Sequence, residues 1–326
     1  MKTIRWGMIG AGAVTEVKSA PGLQKAENSS LVAVMRRNGE LAQDYAARHN
    51  VPRWYDDAYA LINDEEVDAI YIATPPNVHK EYTLRCAAAG KPVYCEKPMA
   101  RNHAECVDML AACSAANVPL WIAYYRRTLP SFVKIKELVE ADEIGDIHTV
   151  TIRIHMPSLT LENGQQLPWR FRPEISGGGI FVDLASHQFD FLDYLLGPIT
   201  QVNGFATNQA GLYPAEDNVV ASYKFASGAL GSGTWSFCST EKADETILYG
   251  TKGRISFSCF ADTPFTLDTD DGSQKIHIPY PQHVQLPLIQ TIVDELNGQG
   301  SCPSTGESGA RTNAVMDEVL DGYSVC

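Results

Sequence analysis

The first 123 residues alternate short apolar runs with helical patterns, and this alternation constrains the fold more than any other feature of the chain. The run at residues 69–73 is apolar at every position, as expected for a parallel strand buried on both faces. Apolar runs occupy residues 4–9, 31–35, 69–73, 93–95 and 120–123, and helical patterns occupy residues 14–23, 39–49, 82–89 and 104–116. The alternation predicts an α/β domain with a doubly wound parallel sheet over residues 1–123.

After residue 124 the strand-like runs follow one another, mostly separated by Gly, Asp or Ser turns. They lie at residues 147–155, 202–206, 219–225, 230–237, 246–249, 254–260 and 265–267. Helices are predicted at residues 132–140, 181–196, 286–297 and 310–320. Hairpin connections favour a mainly antiparallel sheet. We therefore expect a second, α+β domain over residues 124–326, whose terminal helices are able to pack back on the first domain.

Charge and composition exclude several classes of partner. A net charge of -13 argues against a nucleic-acid or anionic-membrane surface. No apolar stretch approaches the roughly 20 residues that span a bilayer, and the first residues lack the apolar core of a signal peptide. The eight cysteines show neither a C-x-x-C pair nor zinc-ligand spacing, so no metal site is predicted. A reducing cytoplasm is the expected compartment.

A glycine-rich turn separates the first strand from the first helix. It reads Gly10-Ala11-Gly12-Ala13-Val14-Thr15. Gly10 and Gly12 allow the backbone to turn tightly near a pyrophosphate, and the helix N-terminus at Ala13 and Val14 offers free N–H groups. The third position of the motif is usually Gly or Ala, so Thr15 is a departure that bears on how closely helix and strand pack. The turn predicts dinucleotide binding; the alternative is an ordinary strand–helix turn.

The end of the second strand indicates which dinucleotide binds. An Asp or Glu there would bond the ribose 2′-OH of NAD, but this chain has Arg36 and Arg37. A guanidinium suits a 2′-phosphate, so NADP(H) is favoured over NAD(H). The alternative is a solvated basic pair on a surface loop.

Two more segments follow buried strands, at the sheet edge where open α/β folds bind ligands. One is Glu96-Lys97-Pro98, which places a cation at the mouth of the predicted crevice and makes Glu96 and Lys97 candidate cofactor contacts. A surface turn is the alternative for this tripeptide. The other segment supplies four candidate cofactor contacts: Thr74, Pro75, Asn77 and His79. For His79 the alternative is that it caps the next helix or packs against it.

A second dense signal is Gly177-Gly178-Gly179, followed by Asp183 and His187. The last two are four residues apart, so on a helix they share one face. A carboxylate beside an imidazole orients it for proton transfer near neutral pH, although such a pair also occurs purely as a helix-stabilising contact. Trp169 and Arg170 precede the glycines as a possible lid, and Tyr125 lies where one domain passes to the next. For these three, loop packing is the alternative to a substrate role.

Together these segments resemble the glucose–fructose oxidoreductase / inositol dehydrogenase / rhizopine catabolism (Gfo/Idh/MocA) dehydrogenases along essentially the whole chain. The carriers of the resemblance are Gly10-Ala11-Gly12, the 74–79 segment, Glu96-Lys97-Pro98, and the three glycines with Asp183 and His187. The resemblance implies a Rossmann domain and a domain with an open sheet that often forms a dimer or tetramer interface. It further implies that Lys97 bonds the reacting oxygen, through a Lys97–Pro98 bond that is often cis, and that Asp183 and His187 bind the substrate hydroxyl and move its proton.

The resulting hypothesis is NADP(H)-dependent hydride transfer to or from a secondary alcohol or ketone of a sugar, polyol or related cyclic alcohol. Three alternatives stay open: a dihydrodiol or dicarbonyl oxidoreductase using NADP, an NAD-retaining glycosidase of the same family, and a non-catalytic dinucleotide sensor. Residues 124–127 and 156–172 and the second-domain sheet are expected to build the substrate pocket. The sequence does not identify the substrate, because such loops vary independently of the fold.

Overall fold

The structure, a computed structural model, describes residues 1–12, 15–160 and 165–323. The chain forms two compact units. The first unit comprises Met1–Leu129 and Pro281–Ala310, and the second comprises Pro130–Tyr280 and the chain from Arg311 onward. The division therefore comes six residues after the expected 123/124 boundary, and a later segment of the chain belongs to the first unit.

The first unit contains a six-stranded parallel sheet. Its strands are β1 (Ile4–Ile9), β2 (Ser29–Met35), β3 (Arg53–Tyr55), β4 (Ala69–Ile72), β5 (Val93–Cys95) and β6 (Leu120–Ile122), and its helices are α1 (Ala20–Lys25), α2 (Gly39–Arg48), α3 (Ala58–Ile62), α4 (His79–Ala88) and α5 (His103–Ala116). The strand order β3-β2-β1-β4-β5-β6 reverses direction between β1 and β4. The predicted doubly wound parallel sheet is confirmed, with its switch point at the carboxyl ends of these two strands.

Strand β4 shows why the sheet is buried on both faces. Its alternate side chains enter two separate hydrophobic cores, with Tyr71 on one face and Ile70 and Ile72 on the other. Helices α3, α4 and α5 cover the Ile70 face. Helices α1 and α2, together with a late helix of the chain (Leu286–Leu296), cover the Tyr71 face.

The second unit contains a mixed, mainly antiparallel eight-stranded sheet, which confirms the predicted sheet type. Its strands are β7 (Ile147–His155), β8 (Ile199–Thr207), β9 (Asn218–Phe225), β10 (Leu230–Ser236), β11 (Ala243–Gly250), β12 (Gly253–Phe257), β13 (Phe265–Thr269) and β14 (Gly272–Ile276). The other α-helices of the described residues are α6 (Pro130–Glu140), α7 (Pro173–Ser176), α8 (Ile180–Leu196), α9 (Leu286–Leu296), which lies in the first unit, and α10 (Gly306–Val319). The order is β14-β13-β12-β11-β7-β10-β9-β8, in which only β7 and β10 pair in parallel.

The two faces of the second sheet differ in their exposure to solvent. On β9 the buried residues alternate with exposed ones, and Tyr223 packs edge-on against Phe189 of α8, with ring centroids 5.5 Å apart. The opposite face leaves large apolar side chains in solvent, among them Phe205, which is 78% exposed, Val220 and Leu230. In the described part of the chain, no helix is long and apolar enough to cross a membrane.

Candidate active site

The glycine turn joins three strand ends of the parallel sheet. Gly10 has φ +98°, and a Cβ placed on it would lie 2.9 Å from backbone atoms of Ala73, just beyond β4. The backbone N–H groups of Gly10 and Ala11 both donate to the carbonyl of Met35, the last residue of β2, at 3.0 and 3.1 Å. Only glycine suits the first position, because its conformation and its clearance both exclude a side chain. The expected contacts at Ala13 and Val14 lie outside the described residues.

Thr15, unexpected in the motif, closes this turn. Its hydroxyl donates to the carbonyl of Gly12 at 2.7 Å and accepts from the N–H of Gly12 at 3.1 Å. A wide π-helical turn, Thr15–Ser19, follows, so the α-helix predicted from residue 14 begins only at Ala20. Close packing of α1 is provided by Gly22, where a Cβ would lie 2.8 Å from Cδ1 of Ile289.

Two arginines follow β2, directly after Met35, whose carbonyl accepts from the glycine turn. Arg36 is half-buried, and its backbone N–H donates to the carbonyl of Tyr55 at 3.1 Å. Arg37 is exposed, and Asn38 caps helix α2 by accepting from the N–H of Leu41 at 3.0 Å. The end of β2 therefore carries two cations and an amide at the three positions where an acid would mark an NAD site.

The 74–79 segment is held by an internal histidine. His79 is fully buried, with Nε2 2.8 Å from the carbonyl of Thr74 and Nδ1 3.2 Å from the carbonyls of Pro98 and Met99. Burial lowers the pKa of His79. The ring thus ties the loop after β4 to the backbone after Lys97, and it has no surface for the cofactor contact expected of it. Pro75 is half-buried and Asn77 is exposed.

Lys97 lies two residues beyond β5 and is half-buried, and the Lys97–Pro98 bond is cis. The Glu96 carboxylate, one residue before Lys97, accepts hydrogen bonds from three groups of the first unit. Oε1 accepts from the Tyr71 hydroxyl at 2.6 Å and from Nε2 of Gln285 at 2.7 Å, while Oε2 accepts from the backbone N–H of Lys97 at 3.1 Å. Sequence reasoning missed Gln285, which lies 189 residues from Glu96 in the chain and belongs to no recognisable motif.

In the second unit, helix α8 begins directly after the three glycines. It carries Asp183 in its first turn and His187 one turn later, so the two residues lie on one face as predicted. His187 is 4% exposed and packs edge-on against Phe260. Oδ2 of Asp183 accepts from Nε of Arg170 at 3.1 Å. The predicted lid residue therefore contacts a predicted catalytic residue.

Both aromatic residues among the predicted substrate contacts, Trp169 and Tyr125, lie against an arginine side chain. The Arg170 guanidinium stacks over Trp169, 4.3 Å from the ring centroid. In the first unit, the Arg126 guanidinium lies 5.1 Å from the centroid of the Tyr125 ring. Cation–π contact restrains both rings, and the Tyr125 ring also packs against the core on the Tyr71 face of the sheet. Residues 161–164 of the expected substrate loop lie outside the described residues.

A buried acid that the sequence did not reveal lies beneath the glycines. Glu216 is 1% exposed, and its Oε1 accepts from the N–H of Gly179 at 2.6 Å, at the N-cap of α8. Burial raises the pKa of Glu216 to about 7. A Cβ on Gly179 would lie 3.0 Å from that carboxylate oxygen and 2.7 Å from the carbonyl of Glu216, so the third glycine allows this close approach.

The first unit fits a dinucleotide on its own geometry. The crevice at the switch point is bordered by a turn without side chains at Gly10 and Gly12. Thr74 Oγ1 is buried there and has no hydrogen-bond partner among the described residues. Within residues 1–12, 15–160 and 165–323, no group of three or more His, Cys, Asp or Glu side chains is arranged to hold a metal ion.

Comparison with known proteins agrees with this architecture. Residues 4–124 match the family model described as the oxidoreductase family with an NAD-binding Rossmann fold, and residues 132–256 match the GFO/IDH/MocA C-terminal domain. The chain is 39% identical to Oxidoreductase P35 of Formosa agariphila over 315 residues, covering 96% of this chain and 97% of the relative. It is 29% identical to a myo-inositol 2-dehydrogenase of Thermotoga maritima, covering 83% and 80% of the two chains.

Solved structures share the whole fold. A levoglucosan dehydrogenase in complex with NADH and levoglucosan superposes with a TM-score of 0.87 at 22% identity, covering 98% of this chain and 96% of the other. An aldose–aldose oxidoreductase from Caulobacter crescentus gives a TM-score of 0.86 at 23% identity, covering 98% of both chains. At these identities the structures establish the fold alone.

Proposed function

This chain belongs to the Gfo/Idh/MocA family of NAD(P)-dependent oxidoreductases, and we propose that it transfers hydride between NADP(H) and a secondary alcohol or ketone carbon of a sugar, polyol or related cyclic alcohol. The observation that carries the proposal is the fixed position of Lys97. The lysine follows β5, while the glycine turn and Thr74 follow the neighbouring β1 and β4 of the same parallel sheet. A cation therefore stands at the edge of the sheet where the dinucleotide crevice forms.

Each candidate residue has a distinct chemical role. When bound, the nicotinamide ring supplies the hydride donor or acceptor. Lys97 as an ammonium hydrogen-bonds the reacting oxygen and stabilises the negative charge that develops on it. Asp183 and His187 are proposed to bind the substrate hydroxyl and to carry its proton, and Lys97 is the alternative proton carrier. Trp169 and Tyr125 offer ring faces for the apolar face of a sugar-like substrate.

Preference for NADP(H) is supported by Arg36 and Arg37. Guanidinium groups after β2 suit a 2′-phosphate, and no carboxylate occupies positions 36–38 to bond a free 2′-OH. Calorimetric titration of NADP+ and NAD+ into the protein and into its Arg36→Asp variant tests the preference. We expect the unchanged protein to bind NADP+ more tightly than NAD+. In the variant, the difference between the two affinities should become smaller or change sign. Tighter binding of NAD+ by the unchanged protein would reject the assignment.

Several relatives bear on the class of substrate. A 1,5-anhydro-D-fructose reductase of Ensifer adhaerens is 27% identical over 94% of this chain, and the relative from Thermotoga is a myo-inositol dehydrogenase. A trans-1,2-dihydrobenzene-1,2-diol dehydrogenase of Xenopus laevis is 26% identical over 85% of this chain, which keeps dihydrodiol oxidation as the second candidate. A screen of sugars, inositols and dihydrodiols, following reduction of NADP+ by absorbance, separates the two classes. Stoichiometric NAD retained through purification would instead favour the glycosidase alternative.

We further propose a homodimer or homotetramer formed through the second sheet, in the cytoplasm. The support for assembly is the apolar row on the open face, where Phe205 and Val220 are direct cross-strand neighbours and both exposed. The seven cysteines of the described residues are free thiols, as suits a reducing compartment. Light scattering of the protein and of its Phe205→Asp variant tests the assembly, since a charge in an apolar interface should yield monomers.

A further inference from the structure

The Glu96 carboxylate is the centre of a hydrogen-bond network built entirely within the first unit. Its two oxygens accept from the Tyr71 hydroxyl, Nε2 of Gln285 and the Lys97 backbone N–H, at 2.6, 2.7 and 3.1 Å. The Tyr94 hydroxyl lies 2.9 Å from Oε1 of Gln285. Two strand residues, one residue of the late segment Pro281–Ala310 and the Lys97 backbone therefore join in a network centred on the amino acid that precedes Lys97.

Burial keeps both phenol hydroxyls of this network protonated. Tyr71 and Tyr94 are fully buried and stacked, with centroids 4.9 Å apart, and burial raises the pKa of each phenol far above its ordinary value. Both hydroxyls therefore keep their protons. Because the Tyr94 hydroxyl donates to Oε1 of Gln285, the amide Nε2 must point towards Glu96. The opposite amide orientation would set a carbonyl oxygen against a carboxylate.

The network ends on the backbone of the candidate catalytic lysine. Glu96 Oε2 accepts from the Lys97 N–H, and the carbonyls of Pro98 and Met99 lie within 3.2 Å of buried His79. Lys97 is thus held on one side by the half-buried Glu96 carboxylate and on the other by the buried His79 ring. Since Gln285 is 1% exposed and immediately precedes α9, its loss would also release the start of that helix from Glu96.

We propose that Gln285 and Tyr71 are positioning residues, which hold Glu96 so that Glu96 holds the Lys97 backbone in its reactive position. The inference rests on the proposed function, in which the Lys97 ammonium meets the reacting oxygen. A displacement of about 1 Å at a catalytic group costs on the order of a hundredfold in rate. Positioning of this kind should appear in turnover and in the reactivity of Lys97, and much less in cofactor affinity.

The test compares four variants of the full chain with the unchanged protein. Gln285→Leu removes the amide donor and Tyr71→Phe removes the hydroxyl donor. Tyr94→Phe removes only the bond that orients Gln285. Gln290→Leu is the matched control on α9, because the Gln290 side chain bonds Asp294 and the backbone of Glu27 instead. Each protein is assayed for kcat, KM for the alcohol, NADP+ affinity and thermal unfolding.

A second readout follows Lys97 itself and does not depend on catalysis. The rate of Lys97 modification by an amine reagent is measured by mass spectrometry, with exposed Lys2 as the internal reference. We expect Gln285→Leu and Tyr71→Phe to lower kcat by about tenfold to a hundredfold, and to change NADP+ affinity by less than about threefold. Both variants should speed Lys97 labelling by about threefold or more, since local restraint is lost.

The pattern across variants decides between positioning and simple structural support. Tyr94→Phe should give a smaller effect than Tyr71→Phe, and Gln290→Leu should match the unchanged protein in both readouts. Unchanged kcat and unchanged Lys97 labelling in folded Tyr71→Phe and Gln285→Leu would overturn the proposal. If the unchanged protein oxidises no alcohol in the screen, the proposed function is rejected. The Lys97 labelling rates of the variants would still show whether the network restrains Lys97.

Discussion

The guanidinium Nε of Arg170 lies 3.1 Å from Oδ2 of Asp183, and the same group stacks over the ring of Trp169. Asp183 is on the first turn of α8, whereas Arg170 belongs to a short 3₁₀ turn, Trp169–Phe171, that precedes α7. The pair therefore connects the loop expected to bind substrate with the helix expected to move its proton.

Replacement of Arg170 is predicted to damage catalysis through Asp183. Arg170→Ala should lower kcat/KM for the alcohol by about tenfold, equivalent to about 1.4 kcal/mol, and leave NADP+ affinity unchanged. Arg170→Lys should recover part of the loss, because it keeps the charge but not the planar stack. Arg172→Ala is the control, since Arg172 pairs with exposed Glu174 two residues away. Equal kcat/KM values in the Arg170→Ala and Arg172→Ala proteins would contradict this role for the pair.

Glu216 predicts a pH dependence of stability with a definite sign. Burial is the main cause that raises its pKa from 4.5 to about 7, opposed by the Gly179 N–H bond and reinforced by the charge of Asp217. Between these values the folded state binds more protons than the unfolded state, so the stabilisation is complete below pH 4.5 and is lost as pH rises through 7. The loss amounts to about 3 kcal/mol.

Glu216→Gln isolates this contribution. Urea unfolding of both proteins at about pH 5 and about pH 8 gives four free energies of unfolding. The decrease with pH should be about 2 to 3 kcal/mol smaller in the variant, because the amide does not titrate. Other groups titrate in both proteins and cancel in the double difference. Parallel pH profiles for the two proteins would show that Glu216 does not titrate in this range.

Thr15 is predicted to support the cofactor turn. Thr15→Val removes both hydroxyl bonds to Gly12 at nearly constant volume, so we expect a loss of about 1 kcal/mol in the free energy of unfolding and weaker NADP+ binding. Thr15→Ser retains the hydroxyl and should behave almost as the unchanged protein. Denaturant unfolding and calorimetry measure the two effects. The prediction fails if Thr15→Val binds NADP+ as tightly as Thr15→Ser does.

Sequence patterns predicted the parts of the fold whose physical cause is local. Strand β4 was clear because all of its residues are apolar and buried. Strand β3 was missed because it has three residues at the sheet edge and exposes Trp54. Strand β14 was missed because four of its five residues are exposed and three of them are polar. Helix α10 begins at Gly306, four residues before the predicted start, because the Thr305 hydroxyl accepts from the N–H of Ser308.

Residue type and spacing were enough to nominate Lys97 and the Asp183–His187 pair as candidate site residues, and their roles stay predictions. Gln285 and Glu216 were missed because their importance comes from burial and from partners distant in sequence. An amide and an acid in unremarkable segments acquire a role only when the fold removes them from water. His79 shows the converse, since a motif position expected to meet the cofactor is buried among backbone carbonyls.

The central claim is that the ammonium of Lys97 serves the chemical step, and the turnover of Lys97→Ala tests it most directly. The control is Lys80→Ala, because Lys80 pairs with Asp108 on the helical surface. Steady-state turnover is measured with the best alcohol from the screen, and NADP+ affinity is measured by calorimetry on the same preparations. The account predicts a fall in kcat of about a hundredfold to a thousandfold in Lys97→Ala, with NADP+ affinity retained and Lys80→Ala unaffected. A kcat for Lys97→Ala within about twofold of the unchanged protein would contradict it.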